Sequence, residues 1–235
     1  MKRGQVTIFI ILAVVILIIV ALVSYYSRDI SNYNVKDLAL PNDVRDYKEN
    51  VKSCVDSITE DSIRLVSFRG GYFTLPSENF EELTAYYYIS GQSSLPTLDL
   101  IGSEIKEYVD SNIQNCLQES DKLSIEVTDK EISVDITEDS VNFNIIYNIK
   151  LTFKDKEYIL NNPYKKVVVL PLKKMHSISS QIIKIQEQDP ENICYSCILQ
   201  IAEENNVEIT LNSLSNSLLF TIEKEGYTFN FATKY

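Results

Sequence analysis

The chain has 235 residues, of which 45% are apolar and 23% charged, a balance that suits one folded domain of ordinary size or two small ones. Its 33 Asp and Glu residues outnumber its 22 Lys and Arg residues, and the net charge of -11 argues against nucleic-acid binding, which requires a basic surface. A single histidine excludes a metal centre with several histidine ligands and argues against a histidine-based catalytic triad.

The first thirty residues predict a membrane anchor. Residues 4–27 carry no charge, and residues 6–23 form an apolar run broken only by Thr7. As a helix this run reaches about 27 Å, roughly the hydrocarbon thickness of a bilayer. Lys2 and Arg3 precede the run and favour an N-terminus in the cytoplasm. We therefore expect a basic leader at 1–5, a transmembrane helix at 6–26 in the lipid bilayer, a juxtamembrane connector at 27–42 and an extracytoplasmic domain at 43–235.

Cleavage by two different peptidases and an intact anchor are the alternatives for this N-terminus. A secretory cleavage site has small residues at alternate positions, which residues 21–23 match poorly. Residues 2–7 resemble the class III signal peptide of archaeal type IV pilin-like proteins, in which a prepilin peptidase cuts after the glycine that follows basic residues. The resemblance implies a cut between Gly4 and Gln5, with the apolar segment kept as the anchor and, in true pilins, as the filament core. Phe9 stands where many pilins carry a glutamate that registers neighbouring subunits. An uncleaved single-pass anchor is the alternative.

The segment after the connector predicts two helices separated by irregular chain. Apolar residues at steps of three and four indicate a helix that begins near Val44 and ends before Gly70 and Gly71. A short strand is expected at 72–75, and irregular structure at 76–100, where three consecutive tyrosines are expected to fill the core or form a recognition surface. The second helix is expected over residues 103–117.

Residues 123–153 change to a period of two, which predicts antiparallel strands with one buried face. Turns are expected at Asp129-Lys130 and at Glu138-Asp139, and another strand at 165–172. Helical spacing returns at 175–185. A further helix is predicted to start at Asp189-Pro190 and to run to about residue 204, because Asp favours the N-cap and Pro the first helical position.

The chain ends in a predicted strand at 207–211 and a hairpin that pairs 218–222 with 227–231 across Glu225-Gly226. Blocks of helix alternate with blocks of antiparallel strand along the chain. This pattern predicts an α+β fold, an antiparallel sheet with packed helices, behind the N-terminal transmembrane helix.

The four cysteines are the one group of residues with chemical potential. Cys54 and Cys116 lie on the apolar stripes of two separate predicted helices, so face-to-face packing would allow a disulfide; two buried free thiols are the alternative. Cys194 and Cys197 lie three residues apart on one predicted helix and point the same way. Their alternatives are a local structural disulfide, buried free thiols, a redox-active pair, or a zinc site built from all four cysteines.

The whole chain resembles a group of uncharacterised membrane-anchored surface proteins of small-genome archaea. The resemblance is carried by the N-terminal residues 2–9, by Cys54 ahead of a Gly-Gly-Tyr at 70–72, and by the closing residues 231–235. It implies a surface location and no activity.

These observations favour a non-enzymatic structural or adhesive protein of the cell surface, with a pilin-like subunit as one form of it. The partners expected are the lipid bilayer, further copies of the chain or an envelope protein, with no nucleic acid, no cofactor and no metal. One alternative is a monomeric anchored ectodomain that binds an envelope partner. The other is a membrane-tethered thiol oxidoreductase that uses Cys194 and Cys197.

Overall fold

The computed structural model describes residues 40–118, 123–190 and 192–235. The chain forms two compact units, Met1–Tyr47 and Lys48–Tyr235. Of the first unit, only residues 40–47 are described, and from Asn42 onward they form the start of helix α1. The expected leader, the transmembrane helix and most of the connector lie outside the described residues. No helix in the described ranges is long and apolar enough to cross a membrane.

Helix α1 (Asn42–Phe68) begins and ends close to the predicted positions. In the second unit its buried positions follow one face of the helix and include Val51, Val55 and Ile63. Gly70 and Gly71 end it with φ angles of 70° and 86°, and the Gly71 N–H donates to the carbonyl oxygen of Val66. A side chain at Gly70 would also crowd its surroundings, because an added Cβ would lie 3.0 Å from the carbonyl oxygen of Asn230.

The expected strand at 72–75 is wrong. The backbone N–H groups of Phe73 and Thr74 donate to the Glu104 carboxylate at 2.7 and 3.2 Å, and Arg69 donates to the carbonyl oxygen of Phe73. Side chains therefore satisfy the backbone groups that a neighbouring strand would satisfy in a sheet.

The larger sheet has six strands and mixes parallel and antiparallel pairing. Its main path runs β1 (Asn79–Phe80), β2 (Thr84–Ile89), β9 (Tyr227–Lys234), β8 (Ser217–Lys224) and β7 (Glu208–Leu214), and β3 (Gln92–Ser93) pairs with β2 outside this path. The expectation of irregular chain over 76–100 is therefore wrong. The last strand of the chain, β9, lies between β2 and β8, parallel to β2 and antiparallel to β8.

Strand β2 contains the tyrosine triplet, and its register with β9 shifts between Tyr86 and Tyr88. Tyr87 and Tyr88 are both buried, so the strand presents consecutive tyrosines to the interior. The Tyr87 ring stacks on Phe231 at 5.1 Å between centroids, Phe231 stacks on Phe220 at 4.8 Å, and the Tyr87 hydroxyl donates to the carbonyl oxygen of Gly70. The aromatic core of this sheet is thus tied to the end of helix α1.

Helix α2 (Leu98–Asn112) starts five residues before the predicted position. Thr97 is its N-cap, and the Thr97 hydroxyl accepts the N–H of Leu100 at 3.2 Å. A short 3₁₀ turn (Ile113–Cys116) follows the helix and contains the second cysteine.

The second sheet has three antiparallel strands in chain order, β4 (Ser124–Ile136), β5 (Ser140–Phe153) and β6 (Lys156–Val169). The turn expected at Asp129-Lys130 is wrong, because β4 continues through these residues. Its pairing with β5 has a register shift between Val127 and Asp129, and the strand resumes after it. The turn at Glu138-Asp139 is confirmed by the N–H of Thr137, which donates to the carbonyl oxygen of Ser140.

Strand β6 has 14 residues and begins nine residues before the predicted strand over 165–172, because Pro163 does not interrupt it. The Leu170 N–H donates to the carbonyl oxygen of Asp139, and the register with β5 is constant from there to Lys156. Alternation then directs the backbone of the odd-numbered residues, Pro163 among them, away from β5. Pro163 lies on the outer edge of the sheet and costs no bond to β5.

Helices α3 (Leu172–Gln188) and α4 (Tyr195–Asn205) follow the second sheet. The start of α4 predicted at Asp189-Pro190 is wrong. The Asp189 carboxylate accepts from the Asn192 side-chain amide, and the Gln186 amide donates to the carbonyl oxygens of Asp189 and Pro190. These bonds hold a connector, and the helix begins five residues later with Cys194 as its N-cap.

The C-terminal strands agree with the sequence prediction. Strand β7 is longer than predicted and reaches Leu214, and the hairpin of β8 and β9 turns at Glu225 and Gly226, both with positive φ. The described domain is therefore α+β, as predicted, with one mixed sheet and one antiparallel sheet rather than antiparallel pairing throughout.

Candidate functional site

The structure joins the four cysteines into two disulfides of different character. Cys54 on α1 is bonded to Cys116 in the 3₁₀ turn after α2, with 5.6 Å between their Cα atoms. The sequence predicts Cys116 on the apolar stripe of the second helix, whereas it lies just beyond the end of that helix. The side chain of Cys116 is buried, and the bond connects two elements that lie 62 residues apart in the chain.

The second disulfide joins Cys194 and Cys197 at the start of α4, with 5.2 Å between their Cα atoms. Cys194 is the N-cap of the helix, and its Sγ accepts the backbone N–H of Cys197 at 3.3 Å. The hydroxyl of Ser196 lies 3.5 Å from the same sulfur. Both cysteines are only half-buried. The bond is therefore a local one at the surface, and its first sulfur faces two hydrogen-bond donors.

Two large apolar side chains near the start of helix α4 are exposed. Helix α4 packs into the domain through Ile198 and Ile201, which are buried. Tyr195 and Leu199, one turn apart on the same helix, are 60% and 64% exposed.

The two disulfides differ in what they contribute to stability. A bond that closes a loop restricts the unfolded chain, and the effect grows with the logarithm of loop length. For a separation of 62 residues it amounts to about 4 kcal/mol, and for a separation of three residues to about 2 kcal/mol. The Cys54–Cys116 bond thus stabilises the fold more, and the Cys194–Cys197 bond can open at smaller cost.

With all four sulfurs in disulfides, the alternatives of free thiols and of a four-cysteine zinc site are not the state that this structure describes. Within the described ranges, no group of three or more His, Cys, Asp or Glu side chains is placed to hold a metal ion.

A charged cluster connects α1 with strand β6. Lys166 forms ion pairs with Asp56 at 3.1 Å and Glu60 at 2.6 Å, and the Tyr164 hydroxyl donates to the Asp56 carboxylate. Burial raises the pKa of the Tyr164 hydroxyl, and the hydrogen bond to Asp56 raises it further. The cluster fixes the helix to the sheet through satisfied polar groups, and we assign it a structural role.

A shallow groove of about 360 Å³ lies between α2 and β4. Asp99, Ser103 and Lys106 line it from the helix, and Ser133 and Asp135 line it from the strand.

The single histidine, His176, is half-buried on helix α3. The Nε2 atom of His176 lies 2.7 Å from the carbonyl oxygen of Pro96, and burial lowers the pKa of the ring. The contact holds α3 against the segment before α2, and we assign it a structural role.

Sequence reasoning missed the apolar outer face of strand β6. Ile159, Val167 and Val169 are 71%, 63% and 69% exposed there, and the edge strand that contains them was only partly predicted. The signal that could have found it is the alternation from Tyr158 to Val168, once Pro163 is allowed on an edge strand.

The predicted processing residues, Gly4 and Gln5, lie outside the described part of the chain. The comparisons with known proteins add no assignment to the four cysteines, because no protein-family model, no curated protein and no solved structure matches this chain.

Proposed function

We propose that the protein is a single-pass membrane-anchored cell-surface protein whose extracytoplasmic α+β domain has a structural or adhesive role. The observation that carries the proposal is the pair of disulfides in the domain, because such bonds persist in oxidising compartments and are rare in the cytosol of most organisms. The apolar run at 6–23, preceded by two basic residues, supports the same orientation from the sequence.

A pilin-like subunit is the more specific form of this proposal. It rests on the resemblance of residues 2–7 to a class III signal peptide, with cleavage between Gly4 and Gln5. In this form the helix of the mature N-terminus holds copies of the chain together. A monomeric ectodomain that binds an envelope partner is the alternative, and it keeps an intact N-terminus.

The test is a mass and N-terminal sequence determination on protein extracted from native membranes, with and without reductant before thiol alkylation. We expect four cysteines that are alkylated only after reduction. A chain that starts at Gln5 supports the pilin-like form, and one that starts at Met1 supports the plain anchored ectodomain. Four cysteines that are alkylated without reductant would contradict the extracytoplasmic location.

Orientation is tested separately by adding protease to intact cells and to lysed cells. We expect digestion of the domain in both samples and protection of the anchor. A domain that resists protease until the cells are lysed would place it inside the cell and overturn the proposal.

A further inference from the structure

We propose that the Cys194–Cys197 disulfide is redox-active and exchanges with cysteine thiols of polypeptides that expose apolar segments, with Cys194 as the sulfur that bonds to the substrate. This activity goes beyond a structural or adhesive role. It rests on the geometry of helix α4 and does not depend on the anchor or on filament assembly.

Cys194 lies at the N-cap of helix α4. Its sulfur accepts the N–H of Cys197 at 3.3 Å and lies 3.5 Å from the Ser196 hydroxyl. When the disulfide is reduced, the same donors and the positive end of the helix dipole stabilise a thiolate on Cys194. Cys197 is the third residue of the helix and does not occupy its N-cap. The two sulfurs are therefore unequal, as an attacking and a resolving cysteine must be.

The Cys194–Cys197 disulfide also differs from the other in access. Both cysteines of this disulfide are half-buried, as is Cys54, whereas Cys116 is only 8% exposed, so one partner of the long-range disulfide is covered. The short loop closed by Cys194 and Cys197 also restricts the unfolded chain less than the long loop closed by Cys54. Opening the local disulfide leaves the long-range one in place, so the domain can cycle between two redox states without losing its fold.

The exposed side chains near the start of helix α4 indicate the class of substrate. Tyr195, the residue after Cys194, and Leu199, one turn further along, expose more than half of their surface, although the same helix buries Ile198 and Ile201. An apolar pair at this position binds polypeptide segments that expose apolar side chains near a cysteine, as incompletely folded chains do.

The reaction transfers two electrons and two protons. A substrate thiolate attacks the Sγ of Cys194, the bond to Cys197 breaks, and the Cys197 sulfur leaves as a thiolate and takes up a proton. A second substrate thiolate then attacks the substrate sulfur of the mixed disulfide, and Cys194 leaves. The products are a substrate disulfide and the reduced cysteine pair, and a small-molecule disulfide reoxidises the pair for the next cycle.

The main experiment traps the mixed disulfide with the full-length chain in detergent, using a synthetic peptide that carries an apolar segment and a single activated disulfide. The Cys197→Ser variant keeps Cys194 as a free thiol, and we expect it to form the mixed disulfide at least tenfold faster than Cys194→Ser does. The Cys194→Ser variant keeps a favourable N-cap, so helix α4 retains its start. The same variants unfolded in denaturant give the reference rates, and we expect the asymmetry to vanish there.

The apolar surface is tested with the disulfide intact. We expect Tyr195→Ser combined with Leu199→Ser to lower the rate of oxidation of an apolar dithiol peptide at least tenfold and to leave the rate with dithiothreitol unchanged. Ile159→Ser, which removes an equally exposed apolar side chain on strand β6, is the matched control and should change neither rate.

Equal trapping by the two single-cysteine variants in the folded protein would overturn the proposal. So would reduction of Cys54–Cys116 before Cys194–Cys197 under limiting dithiothreitol, followed by alkylation and peptide mapping. Loss of the peptide rate together with the dithiothreitol rate in the serine double variant would show damage to the helix, and would reject the proposed substrate surface.

Discussion

Removal of the Cys54–Cys116 disulfide should lower the free energy of unfolding by about 4 kcal/mol, because the bond closes a loop between residues 62 apart. The perturbation is the double variant Cys54→Ala with Cys116→Ala, which leaves no free thiol and adds no polar group to a site where Cys116 is buried. The corresponding change at Cys194 and Cys197, three residues apart, should cost about 2 kcal/mol. Each double variant removes one disulfide, so the difference between their losses of stability reports the effect of loop length.

The assay is guanidinium unfolding of the full-length chain in detergent, followed by near-UV circular dichroism, which reports the packing of the tyrosines of strand β2. For a protein of this size the larger loss corresponds to a fall in Tm of about 8–16 °C. Equal losses for the two double variants would refute the reasoning, because the chain-entropy account requires the longer loop to contribute more. A loss below about 1 kcal/mol for Cys54–Cys116 would refute it as well.

Three further predictions concern single residues. Gly71→Ala should destabilise the domain by about 3 kcal/mol, because the φ of Gly71 is 86° and the new Cβ would lie 2.8 Å from Ile101. Gly91→Ala, at a φ of 93° with open space around it, should cost only about 1 kcal/mol. A similar cost at both sites would contradict the packing argument. Tyr164→Phe should cost about 2 kcal/mol in urea unfolding at pH 7 through the lost bond to the aspartate. Since the folded state raises the pKa of this tyrosine, the wild type should also lose stability above pH 10, where the unfolded chain releases the proton first, and the variant should lose less. The wild type should lose stability between pH 7 and 5.5, because burial lowers the pKa of the His176 ring and the unfolded chain therefore binds the proton first. His176→Gln, which retains a donor for the carbonyl oxygen of Pro96, should show a smaller loss over this pH range. An equal loss in the variant would contradict the assignment to His176.

The periodic parts of the fold could be predicted from sequence, because a helix or strand with one buried face has apolar residues at the spacing of that face. Helix α1, the turn after β4 and the terminal hairpin follow this rule, and the structure has them near their predicted positions. Strand β2 could not be found in this way, since it is buried at consecutive tyrosines, Tyr87 and Tyr88, across a register shift. Its neighbour in the sheet is the last strand of the chain, a partner that local patterns do not identify.

The errors at β6 and α4 have a different cause. Proline and aspartate occur in more than one kind of local structure, and the sequence alone does not distinguish them. Proline usually interrupts a strand, but Pro163 is tolerated because its backbone faces away from β5. This direction is known only from the pairing register of the two strands. Asp189 and Pro190 read as a helix start, but the Gln186 amide holds their carbonyl oxygens in a connector. The same limit applies to the second cysteine pair. The sequence predicts that its members face one way, and only the folded structure has Cys194 at the N-cap of the helix.

The central position of strand β9 has a consequence for biosynthesis. Its residues, Tyr227–Lys234, are made after those of every other strand of the larger sheet, yet they separate β2 from β8 and supply the Phe231 ring that joins Phe220 to Tyr87. A nascent chain that has been made only as far as β8 therefore lacks the middle of this sheet. The mixed sheet can close only after β9 has left the ribosome.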